Sequence, residues 1–409
     1  MTHRRFDEHV VRHRLAARLD RAVATLPESP AGPVYVVDLD AFDRNAADLV
    51  RRAGGKPVRL ATKSVRVPAL ARRALDRPGF AGVLAYNLRE ALWLAEHEEL
   101  ADVLVGYPSV DRPALARLAG DETLAQRVAL MVDDVEHLRL VDSVRPAGGP
   151  PVRVVIDVDA GFRAGPAHLG PRRSPLRTAA DVVRLVDEVS RCPGFDLVGV
   201  MTYEGQVAGV PDVAPGNPAR SAAVRRMKSA SLHDLRRRRA EIATALQDRG
   251  GVALWNAGGS GSLEVSAAAP EVTEVTAGSG LLVPHLFDHY RSFVPRPAAW
   301  FGLPVVRRPG PGLVTVAGGG LIASGPAGRD RAPLPWAPPG LALTAMEGAG
   351  EVQTPLHGPG VDLLGIGDVV WFRHAKAGEP AEHTAVVHLV SGERVVESVP
   401  TYRGLGLTW

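Results

Sequence analysis

Residues 58–64 read VRLATKS, in which a short strand-like run at residues 58–62, VRLAT, is followed directly by a lysine. The alternation of its side chains is typical of a β-strand. Seven further runs of this kind follow, separated by helix-like stretches, at residues 82–86, 102–106, 128–132, 152–158, 197–203, 254–257 and 273–277. Eight strands that alternate with helices predict an α/β fold in which the strands close into a (β/α)8 TIM barrel.

The pattern changes on both sides of this region. Residues 1–33 mix acidic, basic and apolar side chains and predict an N-terminal helical extension. Residues 34–290 contain the barrel, together with a ninth apolar run at residues 34–38 (VYVVD). After residue 290, proline and glycine become dense and short β-like runs replace the helical periodicity. Residues 291–409 are therefore predicted to form a mostly β second domain.

Composition narrows the class of protein. The net charge of +3 is small for 409 residues, and the basic run at residues 236–239 has no aromatic residues among it. We therefore expect no nucleic-acid partner and, with no apolar segment of about 18 residues, no membrane partner. The single cysteine, Cys192, excludes an internal disulfide. A soluble cytoplasmic protein is predicted.

Lysine is rare in this chain, because 44 of its 48 basic residues are arginine. The four lysines are Lys56, Lys63, Lys228 and Lys376. Lys63 directly follows the first barrel strand, at the edge where barrels of this type carry their active sites. A desolvated lysine amine can attack an aldehyde. Alternatively, Lys63 is a surface lysine at the end of a strand.

Two turns rich in glycine and serine follow the last two barrel strands, and the loops at these positions commonly bind phosphate. Their backbone N–H groups can approach an anion closely. The candidate phosphate-binding residues are Gly258, Gly259, Ser260, Gly261 and Ser262 in the first turn and Gly278 and Ser279 in the second. No lysine of the P-loop type follows either turn, which argues against a nucleoside triphosphate.

Four more residues are candidates. Arg163, after the strand at 152–158, can face a bound ring or form an ion pair with a nearby aspartate. Tyr203, at the end of the predicted strand at residues 197–203, can contact a cofactor or plug the barrel. In the second domain, His374 and Lys376 are expected to project from one side of a strand. A single histidine is a weak metal signal, so a structural role for it is the alternative.

These residues together resemble the D-threonine aldolase and D-serine dehydratase group of pyridoxal-phosphate enzymes, which have the alanine racemase fold (fold type III). Residues 59–64, RLATKS, are similar to the motif around that family's Schiff-base lysine, with Ala61 in place of a histidine. The resemblance implies that Lys63 binds pyridoxal 5′-phosphate, that Arg163 meets the cofactor ring and that Tyr203 lies beside it. It also implies that the strand at residues 34–38 joins the second domain.

The chain differs from the family at the position of the family's metal site. Members of the group have a histidine followed two residues later by cysteine or aspartate, whereas this chain has His374 and Lys376. A lysine ammonium repels a divalent cation and can stand in for it. We therefore predict no metal site, with His374 as the one candidate ligand, and regard metal dependence as doubtful.

The resemblance implies a lyase that acts on D-3-hydroxy amino acids, by aldol cleavage or by dehydration. The predicted catalytic residues are Lys63, Tyr203, His374 and Lys376. Two alternatives remain: an amino-acid racemase, or a pyridoxal-phosphate-binding homeostasis protein without turnover. The expected partner is a small amino-acid substrate, and a homodimer is implied by the resemblance.

Overall fold

The computed structural model describes residues 2–27 and 32–409. Residues 1 and 28–31 of the predicted N-terminal extension lie outside the described residues. Helix α1 (Thr2–Val23) comes first and strand β1 (Val34–Asp38) follows it. Leu19 and Ala22 of α1 are buried against Trp300 and Trp371. The first helix therefore packs on the second domain.

Eight parallel strands close into a barrel within residues 32–409, which confirms the predicted (β/α)8 fold. The last strand pairs with the first, so that Val275 lies opposite Val58. The barrel strands are β2 (Val58–Ala61), β3 (Phe80–Ala85), β4 (Val103–Val105), β5 (Val128–Val132), β6 (Val152–Asp157), β9 (Phe195–Thr202), β10 (Leu254–Ala257) and β11 (Glu274–Ala277). A short hairpin of β7 (Phe162–Ala164) and β8 (Ala167–Leu169) interrupts this order after β6.

Helices cover the outside of the barrel because their apolar faces pack against the outward side chains of the strands. Two of them begin at residues that favour a helix start. Asp38 caps α2 by accepting from the Ala41 N–H, and Pro68 is the first residue of α3, where a missing N–H costs nothing. The helices after α1 are α2 (Leu39–Arg52), α3 (Pro68–Leu75), α4 (Leu88–His97), α5 (Arg112–Gly120), α6 (Glu122–Arg127), α7 (Val135–Asp142), α8 (Ala179–Arg191), α9 (Gly205–Ala208), α10 (Pro218–Gln247), α11 (Leu263–Ala267) and α12 (Ser279–Leu282).

The second domain is a largely antiparallel sheet of nine strands in the described part of the chain. Strand β1 lies inside it: Tyr35 is opposite Phe301 in an antiparallel pair, and Val37 is beside Leu389 in a parallel pair. The other strands are β12 (Ala299–Gly310), β13 (Leu313–Ala317), β14 (Leu334–Ala337), β15 (Ala342–Leu343), β16 (Gln353–His357), β17 (Val369–Arg373), β18 (Val386–Ser391) and β19 (Arg394–Pro400). Both termini of the chain thus contribute to one sheet.

The barrel interior is filled rather than hollow. Leu104, Ala129, Met131, Val155 and Met201 form a buried apolar cluster, as expected for layered side chains inside such a barrel. Since this cluster fills the interior, a ligand has to bind at the mouth, where the strands end. In the described part of the chain, no helix is both long enough and apolar enough to cross a lipid bilayer.

Candidate active site

A cleft of about 1500 Å³ opens at the carboxyl ends of the barrel strands, between the barrel and the second domain. It gathers most of the residues that the sequence predicted for the site. Those that line it are Lys63, Tyr203, Gly258, Gly259, Ser260, Gly278, Ser279 and Lys376. Arg163, Gly261, Ser262 and His374 do not line it, and each has a physical reason given below.

Lys63 lies in a single 3-10 turn, Thr62–Ser64, that directly follows strand β2. Its Nζ donates a hydrogen bond of 2.8 Å to the hydroxyl oxygen of Tyr107. Burial raises the pKa of the Tyr107 phenol, but the charges of Lys63 and Arg173 outweigh burial and hold that pKa below its usual value. An amine and a phenol joined by a hydrogen bond therefore line the cleft.

Sequence reasoning missed Tyr107. The available signal was its position two residues after Val105, the end of strand β4, because residues at this edge of a barrel line the site. An aromatic residue after a three-residue strand is a common feature, so the position alone did not distinguish it. Only the contact with Lys63 gives it a role.

The prediction for Arg163 is wrong, because this residue does not reach the cleft. Arg173, from the same loop, lines the cleft instead. Arg163 lies on the exposed β7–β8 hairpin and lines a separate surface hollow. The chain turns outward there because Asp159 accepts from the Gly161 N–H at 2.8 Å and from Arg177 at 3.0 Å. Farther along the loop, the Arg173 guanidinium lies 5.0 Å from the ring centre of Tyr107 and 5.4 Å from that of Tyr203.

The two glycine-rich turns are joined into one structure. The Ser260 hydroxyl oxygen accepts from the backbone N–H of Gly280 at 2.9 Å and of Gly278 at 3.3 Å. The hydroxyls of Ser64 and Ser279 lie 3.0 Å apart, which couples the second turn to the turn that carries Lys63. The amine and the predicted phosphate site are therefore held at a fixed separation by direct hydrogen bonds.

Glu204 anchors the first turn from inside the protein. This carboxylate is completely buried. It accepts hydrogen bonds from the hydroxyls of Ser262, at 2.6 Å, and Ser266, and it pairs with Arg239 at 2.9 Å. Ser262 was predicted to contact the cofactor, but its hydroxyl is turned inward and used by Glu204. Its role is to hold the turn.

Gly261 also points away from the cleft. A side chain there would overlap the carbonyl of Ala208 and the ring of Tyr290. Its contribution is therefore close packing of the turn against the neighbouring chain. Gly259, by contrast, lies under the Tyr203 ring: a Cβ atom at this position would be 3.3 Å from Tyr203 Cε2. The first turn thus presents its Gly259–Ser260 segment to the cleft.

Tyr203 provides an aromatic face beside these turns. Burial raises the pKa of its phenol, so the hydroxyl stays protonated at neutral pH. The predicted position of Tyr203 next to a bound ring agrees with its place in the cleft. The alternative that it plugs the barrel does not, because the interior is filled by the cluster around Met131.

His374 and Lys376 do not share one side of a strand, contrary to the prediction. Strand β17 ends at Arg373, so the alternation of side chains stops before His374. The His374 imidazole is buried, and its Nδ1 lies within hydrogen-bond distance of the Lys376 backbone, 2.7 Å from the carbonyl oxygen and 3.0 Å from the nitrogen. Lys376 instead extends into the cleft. His374 is therefore not placed to contact a substrate.

The donors needed for a divalent metal are not assembled here. Among residues 2–27 and 32–409, no group of three histidine, cysteine, aspartate or glutamate side chains is positioned to hold an ion. The position two residues after His374 carries an ammonium instead of a carboxylate or thiolate. The residues present do not fit the metal that the family resemblance implies.

They do fit pyridoxal phosphate. The cleft offers an amine for an aldehyde, serine hydroxyls and glycine backbone for a phosphate, and an aromatic face for a ring. Its charge also suits anions, because seven basic side chains outnumber two acidic ones in the lining: Lys63, Arg66, Arg172, Arg173, Arg220, Arg331 and Lys376 against Asp330 and Glu379.

A buried acid below the lysine turn gives a first testable prediction. Glu90 is completely buried, and burial raises its pKa from 4.5 to about 7. An acid whose pKa is higher in the folded state than in the unfolded state costs stability as pH rises between the two values. We expect Glu90→Gln to raise the free energy of unfolding by about 3 kcal/mol at pH 8.5.

The same variant should differ little from the parent protein at pH 4.5, where the Glu90 carboxyl is protonated in the folded protein. Denaturant unfolding at the two pH values measures the effect. An equal change in stability at both pH values would show that the burial of a charge is not its cause.

The sequence matches the family model described as the alanine racemase N-terminal domain over residues 37–282, which is more than half of the chain. These residues include the barrel and the whole lysine and phosphate-turn region. No curated protein sequence matches the chain.

Several solved structures share the architecture across nearly their full length. D-threonine aldolase from Filomicrobium marinum superimposes with a TM-score of 0.77 at 21% identity, covering 92% of this chain and 96% of that one. D-threo-3-hydroxyaspartate dehydratase from Delftia sp. HT23 gives 0.69 at 20%, covering 93% and 98%. Alanine racemase from Bacillus anthracis gives 0.60 at 16%, covering 93% and 100%. At these identities the likeness shows a common fold.

Proposed function

The chain belongs to the alanine racemase N-terminal domain family, and from this premise we propose that it is a pyridoxal-phosphate-dependent lyase acting on D-3-hydroxy amino acids. One observation carries the proposal. The amine of Lys63 donates a hydrogen bond of 2.8 Å to Tyr107. It lies in the same cleft as two glycine–serine turns, which are hydrogen-bonded to each other. This is the combination that an aldehyde with a phosphate group requires.

Lys63 is the residue that would hold the aldehyde carbon. The residues that would hold the phosphate are Ser260 and Ser279, through their hydroxyl groups, and Gly259 and Gly278, which have no side chain to keep the anion from the backbone. Tyr203 would cover one face of the ring, and Arg173 adds a positive charge beside it. When bound, pyridoxal phosphate supplies an electron-withdrawing ring that stabilises negative charge at the α-carbon of an amino acid.

Tyr107 gives the lysine a proton partner. Its phenol accepts the hydrogen bond from the Lys63 amine, and its pKa is lowered by the charges of Lys63 and Arg173. As a phenolate, Tyr107 can accept a proton from Lys63 along this hydrogen bond, and as a phenol it can return the proton. No other described side chain forms a hydrogen bond with Nζ of Lys63.

The substrate class rests on the structural relatives and on charge. The aldolase and the dehydratase with the highest similarity quoted above act, by their names, on D-amino acids that carry a 3-hydroxyl group. The excess of basic side chains around the cleft would attract the substrate carboxylate as well as the phosphate. Aldol cleavage and dehydration both begin from such a substrate, and the product distinguishes them.

The decisive test is a panel of amino acids with identification of the products. Purified protein reconstituted with pyridoxal phosphate is incubated with D-threonine, D-serine, D-threo-3-hydroxyaspartate, D-alanine and their L-enantiomers. Glycine from D-threonine would establish the aldolase, and a 2-keto acid from a D-3-hydroxy amino acid would establish the dehydratase. Conversion limited to D-alanine and L-alanine would instead identify a racemase. No product from any member would favour a cofactor-binding protein without turnover.

We also propose that the functional unit is a homodimer. The cleft of about 1500 Å³ is larger than the ligand pockets of 300–1,000 Å³ that are usual for small molecules. A second copy placed over the barrel mouth would reduce this volume and exclude water. Light scattering on the purified protein tests the proposal, and a mass equal to one chain would contradict it.

A further inference from the structure

Lys376 is the second lysine of the cleft, and its surroundings fix its ammonium in place. Its Nζ donates to the Ser324 hydroxyl oxygen at 2.6 Å and lies 3.5 Å from Oε1 of Glu379. Ser324 in turn donates to the Glu379 carboxylate through its hydroxyl and, at 2.9 Å, through its backbone N–H. These contacts form a chain of hydrogen bonds from the ammonium to the carboxylate.

The ammonium keeps donor capacity toward the cleft. A lysine ammonium has three N–H groups, and Ser324 and Glu379 account for at most two of them. The Lys376 side chain is 40% exposed, and the space on its open side belongs to the cleft that also contains Lys63. One N–H group is therefore free to bind an oxygen atom of a substrate.

The groups around Lys376 disfavour the binding of a divalent metal ion. The Glu379 carboxylate is already paired with Lys376 and Ser324. Two imidazoles of this region each have one ring nitrogen in a hydrogen bond: Nδ1 of His374 with the Lys376 backbone, and Nε2 of His285 with the Ala332 carbonyl at 3.0 Å. A divalent ion added here would meet a like charge, and among residues 2–27 and 32–409 no group of three ligating side chains is placed to hold it.

From this arrangement we propose that Lys376 is a built-in cation that replaces a divalent metal, and that it binds the oxygen on the β-carbon of the substrate. This inference rests on the proposed function for the identity of the substrate. A charge-assisted hydrogen bond from a fixed ammonium orients that oxygen and stabilises negative charge on it. Ser324 and Glu379 act as positioning residues, because they hold the ammonium through Ser324 Oγ and the Glu379 carboxylate.

The first part of the test is the metal content of the protein, which does not depend on any activity. The holoenzyme is produced with added zinc and manganese, dialysed without a chelator and examined by elemental analysis. We expect substoichiometric amounts of divalent metal, and calorimetric titration with either ion should detect no specific site. One tightly bound ion per chain would overturn the proposal.

The second part is a comparison of variants at position 376 in the holoenzyme. Lys376→Met keeps the length of the side chain and removes the charge. It should lower kcat/KM for 3-hydroxy amino acids by about 100-fold, while the absorption spectrum of the bound cofactor is unchanged. Lys376→Arg should recover part of the loss because it restores a cation. Treatment of the parent enzyme with a chelator should leave its activity intact.

The matched control is Lys56→Met, because Lys56 bonds the Ala269 carbonyl outside the cleft. It should retain the activity of the parent. Full activity of Lys376→Met, or loss of activity with chelator that added metal restores, would overturn the role of Lys376. If the parent enzyme converts no 3-hydroxy amino acid, the proposed function fails first, and the metal analysis still decides whether the cleft takes a divalent ion.

Discussion

Lys63→Ala is expected to give a folded protein that has lost both the visible absorption of the bound cofactor and its turnover. The reason is that the variant removes the amine that donates to Tyr107 and lines the same cleft as the two glycine–serine turns. We expect the rate of substrate conversion to fall by at least about 1000-fold, since both covalent attachment and proton transfer depend on this group. Absorption spectra after reconstitution and single-turnover rates with the best substrate measure the two losses.

Folding should survive the change, because Lys63 is only partly buried and the 3-10 turn is held by the bond between Ser64 and Ser279. Circular dichroism and the denaturation midpoint check this point. Lys56→Ala is the matched control, because it removes a lysine whose amine bonds the Ala269 carbonyl instead. A Lys63→Ala protein that keeps the cofactor spectrum of the parent would refute the assignment of Lys63, whatever its activity.

The barrel could be predicted from the sequence because its signal is local. Parallel strands buried on both faces require continuous apolar runs, and each of the eight runs coincides with a strand of the structure. Lys63 and the two turns directly follow strands. Their position at the mouth then follows from the barrel geometry alone, and the structure places them together in the cleft.

The errors arose where a side chain depends on the path of a loop. The loop after β6 carries several arginines, and the β7–β8 hairpin decides that Arg173 enters the cleft while Arg163 leaves it. No periodicity encodes that choice. The error at His374 and Lys376 came from extending the strand alternation three residues past the end of β17 at Arg373. Tyr107 was missed because its role lies in a contact with a residue 44 positions away.

Substitution of Glu204 is the second change with a large expected effect, both on the stability of the protein and on the shape of the first glycine–serine turn. Glu204→Ala would leave Arg239, which is 2% exposed, without its carboxylate partner, and would also remove the acceptor of the Ser262 and Ser266 hydroxyls. Removal of one partner of a buried ion pair lowers the free energy of unfolding by about 3–5 kcal/mol, because the other charge stays buried without a partner. We expect a loss of this size in the free energy of unfolding, measured with urea at a fixed cofactor concentration.

A second acidic residue paired with the same helix provides the control. Glu241 bonds Arg237 at 2.7 Å on the exposed face of α10, where solvent screens the charges. Glu241→Ala should therefore change the unfolding midpoint very little, although it removes the same type of contact to an arginine only two residues away from Arg239. Similar losses in the two variants would contradict the importance of burial.

Adding Arg239→Met to Glu204→Ala separates the cost of the unpaired charge from the loss of the turn. The double variant removes the stranded guanidinium, so it should recover part of the stability that Glu204→Ala loses. Glu204→Ala should also weaken cofactor binding, because the hydroxyls of Ser262 and Ser266 lose the acceptor that fixes the first turn. The double variant still lacks this acceptor, so it should not recover cofactor affinity. Recovery of stability without recovery of affinity would assign Glu204 two distinct tasks: neutralising a buried arginine and holding the phosphate turn in shape. Recovery of both would mean that the turn keeps its shape without Glu204, and that only the buried charge disturbed it.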